Sequence, residues 1–565
     1  MGLSCLPRNG WRTSSALQRR CCRNCTDSRL RVCPDWRPQG RLISDQLFEV
    51  AHRDPGRELA VDPTSGRFSY SDVASQVERL VFGFRELGLG ADDIVLLQLP
   101  NWLAFMVFHI ALTAVGAISV NVPPGYREKE VGNILQVTKA KGLVVPESFQ
   151  GYNYLALAGT LRSAHQNLHH VFVVGRGAPV PAEMISYQEL ISQHGEIPRN
   201  RGELAAFKPK PNALTVLSFT SGTTGAQKGA MLSSENLRAW NLGLAERYGL
   251  NRGERIFACS PIGHAVGFGH GLRMTLTLGA SIVLLDRWDP ARAIALIAEE
   301  RCTFMAGATP FLMDLVNHPA VADYGNLPSL RLFLCGGASI PEQLMQDARE
   351  ALPHTFVSPL WGMTECGGVT TCPFDAPAEK LHTTDGLACA GMELKVVDPD
   401  GQKLPPGRDG ELLVRGPMVA AGYYHLPEVT AESFLADGFF HTGDQARIDQ
   451  DGYIKITGRI KDLIIRGGVN ISPVEIENVL FSHPRIANVA VVGMPDRRLG
   501  ERVCAFVVLT RGESLELDEV QRWMAQAGVT KTKWPQRVEV VTELPITPSG
   551  KVKKFRLREM LVGAE

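Results

Sequence analysis

The sequence predicts an α/β protein in which mainly parallel sheets carry helices on their faces. Short apolar runs alternate with helical patterns from about residue 93 to residue 334, and such alternation is typical of parallel strands joined by helical crossovers. After residue 391 the pattern changes to short strands joined by Asp-Pro-Asp-Gly and Pro-Pro-Gly turns, which indicates a small antiparallel β-barrel or meander. The chain after Gly458 has the pattern of a separate α+β unit of about 100 residues.

The predicted elements follow in order along the chain. Residues 42–90 have a helical pattern with one turn at residues 62–66. The C-terminal unit is predicted to contain a helix at residues 473–481, strands at 487–492 and 503–509, and a helix from Asp518. Between these regions, buried strands are predicted at residues 93–99, 142–145, 171–174, 213–218, 255–259, 281–285, 304–306 and 330–334.

One apolar segment, residues 102–122, is long enough to raise the question of a membrane span. It contains His109 and Gly116 and becomes strand-like before a Pro-Pro pair. We therefore predict a buried helix followed by a buried parallel strand. Because the sequence has no other long apolar run, we expect a soluble protein without a transmembrane segment.

The length and charge balance limit the class of protein. A chain of 565 residues is too long for one ordinary core, which predicts two or more domains. The 59 basic and 59 acidic residues cancel, so no basic surface for nucleic acid or for an anionic membrane is indicated. The partners are expected to be small molecules.

Residues 1–41 are assigned to an extension outside the folded domains. Residues 1–26 contain five arginines and no acidic residue, which is the composition of a mitochondrial transit peptide. Pro7 and Gly10 weaken an amphipathic helix there, so a disordered extension is the alternative. We expect a cytoplasmic protein, or a protein of the mitochondrial matrix if this segment is a transit peptide.

The twelve cysteines are distributed unevenly. Five lie within the first 33 residues and the other seven are scattered singly, which predicts reduced thiols rather than a disulfide framework. The cluster at Cys21, Cys22 and Cys25 has no second ligand pair at zinc-finger spacing. A zinc site is therefore not predicted.

The segment from Leu217 to Ala230 combines glycines, hydroxyl side chains and one lysine, which together favour phosphate binding. Gln227 and Gly229 stand where a Walker A loop requires a glycine and a hydroxyl, so a P-loop NTPase is not predicted. Considered alone, the motif could also be a surface turn rich in Ser, Thr and Gly. The phosphate-binding candidates are Thr220, Ser221, Gly222, Thr223, Thr224, Gly225 and Lys228.

This motif resembles the signature of the adenylate-forming superfamily, which includes acyl-CoA synthetases, luciferases and nonribosomal adenylation domains. Gln227 replaces the proline that is usual in the family. The resemblance covers about residues 42–562. Four further family motifs follow in the expected order, at residues 361–365 (Trp-Gly-Met-Thr-Glu), 441–444 (His-Thr-Gly-Asp), 458–462 (Gly-Arg-Ile-Lys-Asp) and 545–551 (Pro-Ile-Thr-Pro-Ser-Gly-Lys).

The resemblance implies a domain plan. A large N-terminal domain, residues 42–458, would contain two mainly parallel sheets with flanking helices and a small β-barrel. Residues 459–461 would form a hinge, and residues 462–565 a smaller, mobile α+β lid domain. In the family this lid rotates between two half-reactions, so that one site is used twice.

Residue roles are implied by the matched motif positions. Glu365 and Thr224 match the Mg²⁺ site, and Thr364 with Glu365 matches a catalytic pair, a hydroxyl beside a carboxylate, that holds Mg²⁺ and a phosphate oxygen together. Asp444 matches the aspartate that accepts the ribose hydroxyls, and Lys551 matches the catalytic lysine of adenylation. Without the resemblance, Lys551 could not be chosen over Lys553 and Lys554. The other matched positions are nucleotide contacts (Gly337, Ala338, Trp361, Gly362 and Arg459), the hinge residue Lys461, and Gly467 and Gly468 on the pantetheine channel.

The sequence says less about the pocket for the acid. No Asp or Glu occurs from Cys259 to Met274 or from Leu330 to Ile340, whereas amino-acid adenylation domains have an aspartate in the first region. An amino-acid substrate is therefore disfavoured. For His264, a histidine of the core is the alternative. The predicted pocket residues are His264, Val266, Gly267, Phe268 and Met363.

These matches predict an acid–CoA ligase that uses ATP, Mg²⁺ and coenzyme A. An apolar carboxylic acid would form an acyl-adenylate, and CoA would then take the acyl group as a thioester. Residues 458–468 and 496–502 resemble bacterial short- and medium-chain fatty acyl-CoA and cyclohexanecarboxylate-CoA ligases most closely. Transfer of the acyl group to a carrier protein and luciferase-like oxidation of the adenylate are the alternatives.

Overall fold

The computed structural model describes residues 40–175, 180–193, 209–221, 227–338, 340–510, 512–547 and 551–562. Residues 1–39 of the predicted N-terminal extension lie outside these ranges, and so do Gly222, Thr223, Thr224 and Gly225 of the phosphate-binding candidates. The described strands form four main sheets and one short two-stranded sheet.

The strands are numbered in chain order. They are β1 (Glu58–Asp62), β2 (Gly66–Ser69), β3 (Ile94–Leu97), β4 (Ile118–Asn121), β5 (Gly142–Pro146), β6 (Ser148–Phe149), β7 (Tyr152–Asn153), β8 (His170–Val174), β9 (Ile185–Ser186), β10 (Leu214–Ser221), β11 (Gln227–Ser233), β12 (Arg255–Ala258), β13 (Ser281–Leu284), β14 (Phe304–Gly307), β15 (Leu332–Gly336), β16 (Phe356–Met363), β17 (Gly367–Thr371), β18 (Leu387–Ala388), β19 (Glu393–Val397), β20 (Gly410–Arg415), β21 (Phe440–Ile448), β22 (Ile454–Arg459), β23 (Ile464–Arg466), β24 (Val469–Ile471), β25 (Ile486–Asp496), β26 (Gly500–Leu509) and β27 (Arg537–Val540).

The helices are numbered in the same way. They are α1 (Ile43–Arg53), α2 (Tyr70–Glu86), α3 (Leu103–Val115), α4 (Glu128–Thr138), α5 (Tyr154–Ala164), α6 (Tyr187–Gln193), α7 (Ser234–Tyr248), α8 (Met274–Leu278), α9 (Pro290–Glu299), α10 (Thr309–Asn317), α11 (Ala320–Asp323), α12 (Glu342–Ala351), α13 (Ala378–Thr383), α14 (Pro427–Ser433), α15 (Pro473–Phe481), α16 (Leu517–Gln526) and α17 (Lys554–Val562). A π-helix at Gly267–Arg273 leads into α8, and short 3₁₀ turns occur at Ile460–Asp462 and Lys531–Lys533.

Two large sheets form the first part of the fold. The nine-stranded sheet has the order β18-β17-β16-β15-β14-β12-β13-β1-β2, and the seven-stranded sheet has the order β11-β10-β4-β3-β5-β8-β9. The interior strands of both sheets are parallel. Among the described strands of these sheets, antiparallel pairing occurs only toward the sheet edges, where β2 pairs with β1, β11 with β10, β17 with β16, and β18 with β17. This is the α/β arrangement that the strand and helix alternation predicts.

Helix α3 (Leu103–Val115) accounts for the apolar segment that raised the question of a membrane span. It is apolar on all sides, and every residue except Ala114 is buried. Its core cluster also contains residues of both large sheets, such as Val95 and Ile282. Among the described residues, no helix is both long and apolar enough to cross a bilayer.

The prediction for residues 42–90 was incomplete. Helices α1 and α2 form, but β1 and β2 pair as a hairpin around the predicted turn at residues 62–66. β1 also pairs in parallel with β13, with Ala60 opposite Ile282. This long-range pairing explains the difference, because a short apolar run can be helix or strand and tertiary contacts decide between them.

Two smaller sheets complete the chain. β19 to β22 pair antiparallel in sequence order, so of the two predicted forms, a barrel or a meander, this region forms the meander. β23 to β27 form a five-stranded sheet packed with α15, α16 and α17. The first strand of this sheet in the sequence starts at Ile464, three residues after the end of the predicted hinge at residues 459–461. The domain boundaries themselves stay a prediction.

Candidate active site

The phosphate-binding motif connects two paired strands. β10 lies parallel to β4 and antiparallel to β11, and Thr220 is opposite Lys228 in this pairing. The Thr220 hydroxyl donates to the Lys228 carbonyl oxygen at 3.5 Å. The motif therefore leaves the carboxyl end of a parallel strand, which is where ligands bind in open α/β sheets.

Glu365 lies in the tight connection between β16 and β17, and the residue is only 5% exposed. The Tyr423 hydroxyl donates to Glu365 Oε1 at 2.9 Å. Burial and the neighbouring Glu365 carboxylate raise the pKa of Tyr423, so the phenol keeps its proton and acts as the donor. Lys228 Nζ lies 5.2 Å from the centroid of the same tyrosine ring. Tyr423 was not among the residues predicted from the sequence.

The buried Glu365 carboxylate is suited to Mg²⁺, which proteins commonly hold through one or two carboxylates together with substrate phosphates. Thr224, the second residue matched to this ion, lies outside the described residues. Within the described ranges, no group of three or more His, Cys, Asp or Glu side chains could hold a metal ion alone. The buried carboxylate of Glu365 fits a metal ion that takes its other ligands from a polyphosphate and water.

Asp444 is held from two sides. The Trp361 indole Nε1 donates to Asp444 Oδ2 at 2.9 Å, and Arg459 Nε lies 2.9 Å from Oδ1 in an ion pair. Asp444 and Arg459 are opposite each other on β21 and β22. The sequence prediction treated these three residues as separate nucleotide contacts, and the structure brings them into one cluster.

Two of the predicted glycines have backbone reasons to be glycine. Gly337, directly after β15, has φ +89°, a conformation that L-residues rarely adopt. At Gly362 a Cβ atom would lie 1.8 Å from the carbonyl oxygen of Gly367, so the β16–β17 hairpin leaves no room for a side chain. Ala338 follows Gly337 and is exposed.

Lys551 reaches this cluster from the C-terminal unit. Its Cε atom lies 3.7 Å from the position that a Cβ atom on Gly337 would occupy. Burial and repulsion by Arg459 lower the pKa of Lys551, whereas Asp444 and Glu365 act in the opposite direction. The residue as a whole is exposed, so we attribute the lowered pKa to desolvation of its ammonium end.

The neighbouring lysines point to other partners. Lys554 pairs with Glu477 at 2.7 Å, and Lys553 lines a surface cavity of about 560 Å³ together with Glu543 and Arg556. Of the three lysines that the sequence could not distinguish, Lys551 is the one that the structure brings to Gly337. The hinge candidate Lys461 is exposed, and partial desolvation of its ammonium group and the charge of Arg459 lower its pKa.

Two residues predicted to line the acid pocket, Gly267 and Phe268, begin the π-helix Gly267–Arg273, a helix type that often marks functional sites. At Gly267 a Cβ atom would lie 2.4 Å from the carbonyl oxygens of Ser260 and Pro261. Phe268 is buried, while Val266 and Met363 are partly buried against the core. Burial and the nearby Lys551 charge lower the pKa of His264 to about 4, so His264 is neutral near pH 7.

Trp240 of α7 is a further residue of this region that the sequence did not indicate. A Cβ atom on Gly269 or on Gly367 would lie 2.9 Å or 2.4 Å from its indole ring. The indole Nε1 donates to the Met418 carbonyl oxygen at 2.9 Å. The tryptophan is thus wedged between the π-helix and the turn that carries Glu365.

Gly467 and Gly468, predicted to line the pantetheine channel, form the turn between β23 and β24. Both have positive φ, at +59° and +81°. Gly467 N donates to the Leu499 carbonyl oxygen at 2.7 Å, which fixes the turn on the five-stranded sheet.

Comparison with known proteins identifies the family. A family model described as AMP-binding enzyme matches residues 47–424, and one described as AMP-binding enzyme C-terminal domain matches residues 475–551. The chain belongs to the AMP-binding enzyme family. This assignment confirms the predicted resemblance and the predicted enzyme class, an AMP-forming acid–thiol ligase.

Two relatives illustrate the range of this AMP-binding family. The chain is 36% identical over 522 residues to the medium-chain fatty-acid–CoA ligase of Escherichia coli (strain K12), covering 92% of this chain and 90% of that protein. It is 32% identical over 520 residues to the salicyl-AMP ligase / salicyl-S-ArCP synthetase of Mycobacterium tuberculosis (strain ATCC 25618 / H37Rv), covering 91% and 90%.

The fold agrees with solved structures of the family. ATP-bound MatB from Rhodopseudomonas palustris has a TM-score of 0.82 with this chain at 28% identity, covering 92% of this chain and 98% of that one. Apo MatB, with the same coverage and identity, has a TM-score of 0.72. The predicted fold class is confirmed, and the overall arrangement of this chain is more similar to the ATP-bound form.

Proposed function

We propose that this AMP-binding enzyme is an ATP-dependent acid–CoA ligase for an apolar carboxylic acid. The observation that carries the proposal is the position of Lys551, whose side chain lies against Gly337 and is influenced electrostatically by Glu365 and Asp444. A desolvated cation at this point can face two anions at once, namely the acid and the α-phosphate of ATP. The repulsion between these anions is the main obstacle to their reaction.

In the first half-reaction, a carboxylate oxygen forms a bond to the α-phosphorus and the bond to the pyrophosphate oxygen breaks. Little of this requires covalent chemistry from the protein, so positioning and charge stabilisation supply most of the catalysis. Lys551 is proposed to stabilise the charge that the attacking and phosphoryl oxygens share. Pyrophosphate leaves, and an acyl-adenylate remains.

The other residues of the site are proposed to hold the nucleotide. Lys228 and the amides of the phosphate-binding motif would bind the terminal phosphates, and Asp444 would accept the ribose hydroxyls, because a carboxylate offers two acceptor oxygens. Trp361 and the segment at Gly337 and Ala338 would flank the adenine. Glu365 would hold Mg²⁺, which supplies charge neutralisation along the polyphosphate when bound.

In the second half-reaction, the sulfur of CoA attacks the acyl carbon and AMP leaves. We propose that the C-terminal unit first rotates about Lys461, withdrawing Lys551 and bringing the turn at Gly467 and Gly468 to a channel for the pantetheine arm. The difference in similarity to ATP-bound and apo MatB is consistent with a family whose two units change their arrangement.

The substrate is proposed to be a short- or medium-chain fatty acid or an alicyclic acid such as cyclohexanecarboxylate. Two facts support an apolar acid: the segments 259–274 and 330–340 contain no carboxylate, and Phe268, Val266 and Met363 provide apolar surface. Each buried methylene contributes about 0.8 kcal/mol to binding. The similarity to the Escherichia coli medium-chain ligase supports the same class.

A pyrophosphate-release screen of the purified full-length protein tests this proposal. Linear, branched, alicyclic and aromatic acids are supplied with ATP and Mg²⁺, first without CoA and then with it. We expect acid-dependent pyrophosphate release with an apolar acid, and a thioester that forms only when CoA is present. If no organic acid releases pyrophosphate, the ligase proposal is wrong.

Transfer to a carrier protein is the second candidate, because the Mycobacterium tuberculosis relative is named as a salicyl-S-ArCP synthetase. The two candidates share the adenylate and differ in the acceptor. Supplying the preformed acyl-adenylate with either CoA or a phosphopantetheinylated carrier protein separates them. Acylation of the carrier without acylation of CoA would favour the second candidate.

A further inference from the structure

A short segment, residues 420–424, connects two parts of the candidate site that are far apart in the sequence. Its first amide, Ala420 N, donates to the Glu365 carbonyl oxygen at 2.7 Å. At its other end, Tyr424 N donates to the Gly229 carbonyl oxygen at 2.8 Å, next to Lys228 on β11. The backbone of this segment therefore ties the strand that follows the phosphate-binding motif to the turn that carries Glu365.

The side chain of Tyr423 repeats this connection. Its hydroxyl donates to Glu365 Oε1 at 2.9 Å, and its ring lies 5.2 Å from Lys228 Nζ, within the range of a cation–π contact. Phe434 packs edge-on against the ring with a centroid distance of 5.5 Å. Tyr423 is buried, so its ring and hydroxyl are fixed by the core rather than by solvent.

We propose that Tyr423 is a positioning residue that sets the geometry of the phosphate and metal end of the site. The hydroxyl engages one oxygen of Glu365 and thereby fixes the rotation of the carboxylate, which leaves the other oxygen for a metal ion. The ring face attracts the Lys228 ammonium. This inference rests on the proposed function, because it assigns Glu365 to Mg²⁺ and Lys228 to the terminal phosphates.

A second effect follows from the opposite charges of Lys228 and Glu365. Both contact the same aromatic side chain, one through the ring face and one through the hydroxyl. A neutral residue between them keeps each charge available, whereas direct pairing would neutralise both before a substrate arrives. Loss of the hydroxyl alone should affect the carboxylate and its metal, and loss of the ring should affect the lysine as well.

The test compares Tyr423→Phe and Tyr423→Leu in the full-length protein, with Mn²⁺ as the metal probe. Binding of Mn²⁺ to the protein–ATP complex is followed by electron paramagnetic resonance without any acid present. In Tyr423→Phe we expect about tenfold weaker Mn²⁺ binding, since a hydrogen bond to a charged group is lost, and an ATP affinity at saturating metal within about threefold of wild type. In Tyr423→Leu both affinities should fall.

Tyr424→Phe is the matched control. Tyr424 is the adjacent residue, it is half-buried, and its ring lies tilted by 57° against the ring of His425 with a centroid distance of 4.0 Å. This variant loses the same hydroxyl group at a neighbouring position, and its Mn²⁺ titration should coincide with that of wild type. The proposal would be overturned if Tyr424→Phe weakened Mn²⁺ binding as much as Tyr423→Phe does.

Thermal unfolding of each variant checks that the fold is kept. If Tyr423→Phe does not fold, Phe434→Leu tests the same contact, because it loosens the packing of the ring and leaves the hydroxyl in place. For Phe434→Leu we expect a loss of Mn²⁺ affinity that is smaller than the loss expected for Tyr423→Phe. The proposal is overturned if the Mn²⁺ titration of the folded Tyr423 or Phe434 variant coincides with that of wild type. The ligase proposal fails separately, if the wild-type protein releases no pyrophosphate with any acid.

Discussion

Replacing Lys551 with alanine should remove the first half-reaction and spare the second. The lysine ammonium is desolvated beside Gly337 and lies within electrostatic range of Glu365 and Asp444, so its charge acts in a medium where Coulomb interactions are stronger than in water. Removing one preorganised group that faces developing charge costs about 2.7–4 kcal/mol, or about 10²–10³ in rate. We expect a loss of adenylation of at least this size.

The assay separates the half-reactions. Adenylation is measured as acid-dependent ATP–pyrophosphate exchange, and thioester formation is measured from a supplied acyl-adenylate and CoA. Lys551→Ala should lower the exchange rate by about 10²–10³ and leave the second rate within about threefold of wild type, because Lys551 would be withdrawn in that step.

Lys553→Ala is the matched control for this experiment. Lys553 is two residues away and faces a surface cavity with Glu543 and Arg556, so its loss should leave both rates unchanged. The reasoning is refuted if Lys551→Ala slows both half-reactions equally, or if Lys553→Ala slows adenylation as much as Lys551→Ala does.

Three further predictions concern the surrounding residues. Trp361→Phe removes the 2.9 Å bond to Asp444 and should raise the KM for ATP about tenfold, but less for 2′,3′-dideoxy-ATP, which lacks the ribose hydroxyls. Gly367→Ala should lower the free energy of unfolding by about 1–3 kcal/mol more than Gly249→Ala does, as measured in urea. Both glycines have φ above +60°, but only at Gly367 would the Cβ atom meet Trp240, at 2.4 Å. Burial lowers the pKa of His270 to about 4, so its contribution to stability is present above pH 6.5 and is lost as the pH falls toward 4. This contribution amounts to at most on the order of 3 kcal/mol. In urea unfolding, His270→Gln should lose less free energy of unfolding between pH 6.5 and pH 4 than the wild type does.

The sequence predicted most of the fold because much of it is encoded locally. The short apolar runs at residues 142–145 and 281–285 became β5 and β13, and the apolar segment from residue 102 became the buried helix α3. The exceptions depend on distant partners. β1 is a strand because it pairs with β13 more than 200 residues away, and no local pattern in Glu58–Asp62 encodes that partner.

The candidate site was predictable only where a motif carries it. The positions of Glu365, Asp444 and Lys551 follow from family motifs, but the contacts between them do not. Tyr423 is 58 residues from Glu365 along the chain, and a Gly-Tyr-Tyr segment has no pattern that indicates a role. A sequence signal for Trp240 is also lacking, because its fit against Gly269 and Gly367 depends on packing of separate elements.

The charges of the site explain why two aromatic donors are present. Lys228, Arg459 and Lys551 are gathered near two buried carboxylates, Glu365 and Asp444, and an obvious outcome would be mutual neutralisation. Each carboxylate accepts a hydrogen bond from a neutral donor, Tyr423 or Trp361, and Asp444 pairs in addition with Arg459. A neutral donor satisfies and orients an acid without consuming a cation, and an unsatisfied buried carboxylate would be costly. Under the proposed function, Lys228 and Lys551 would then remain available for the phosphates and the carboxylate of the substrates, whose mutual repulsion is the proposed barrier.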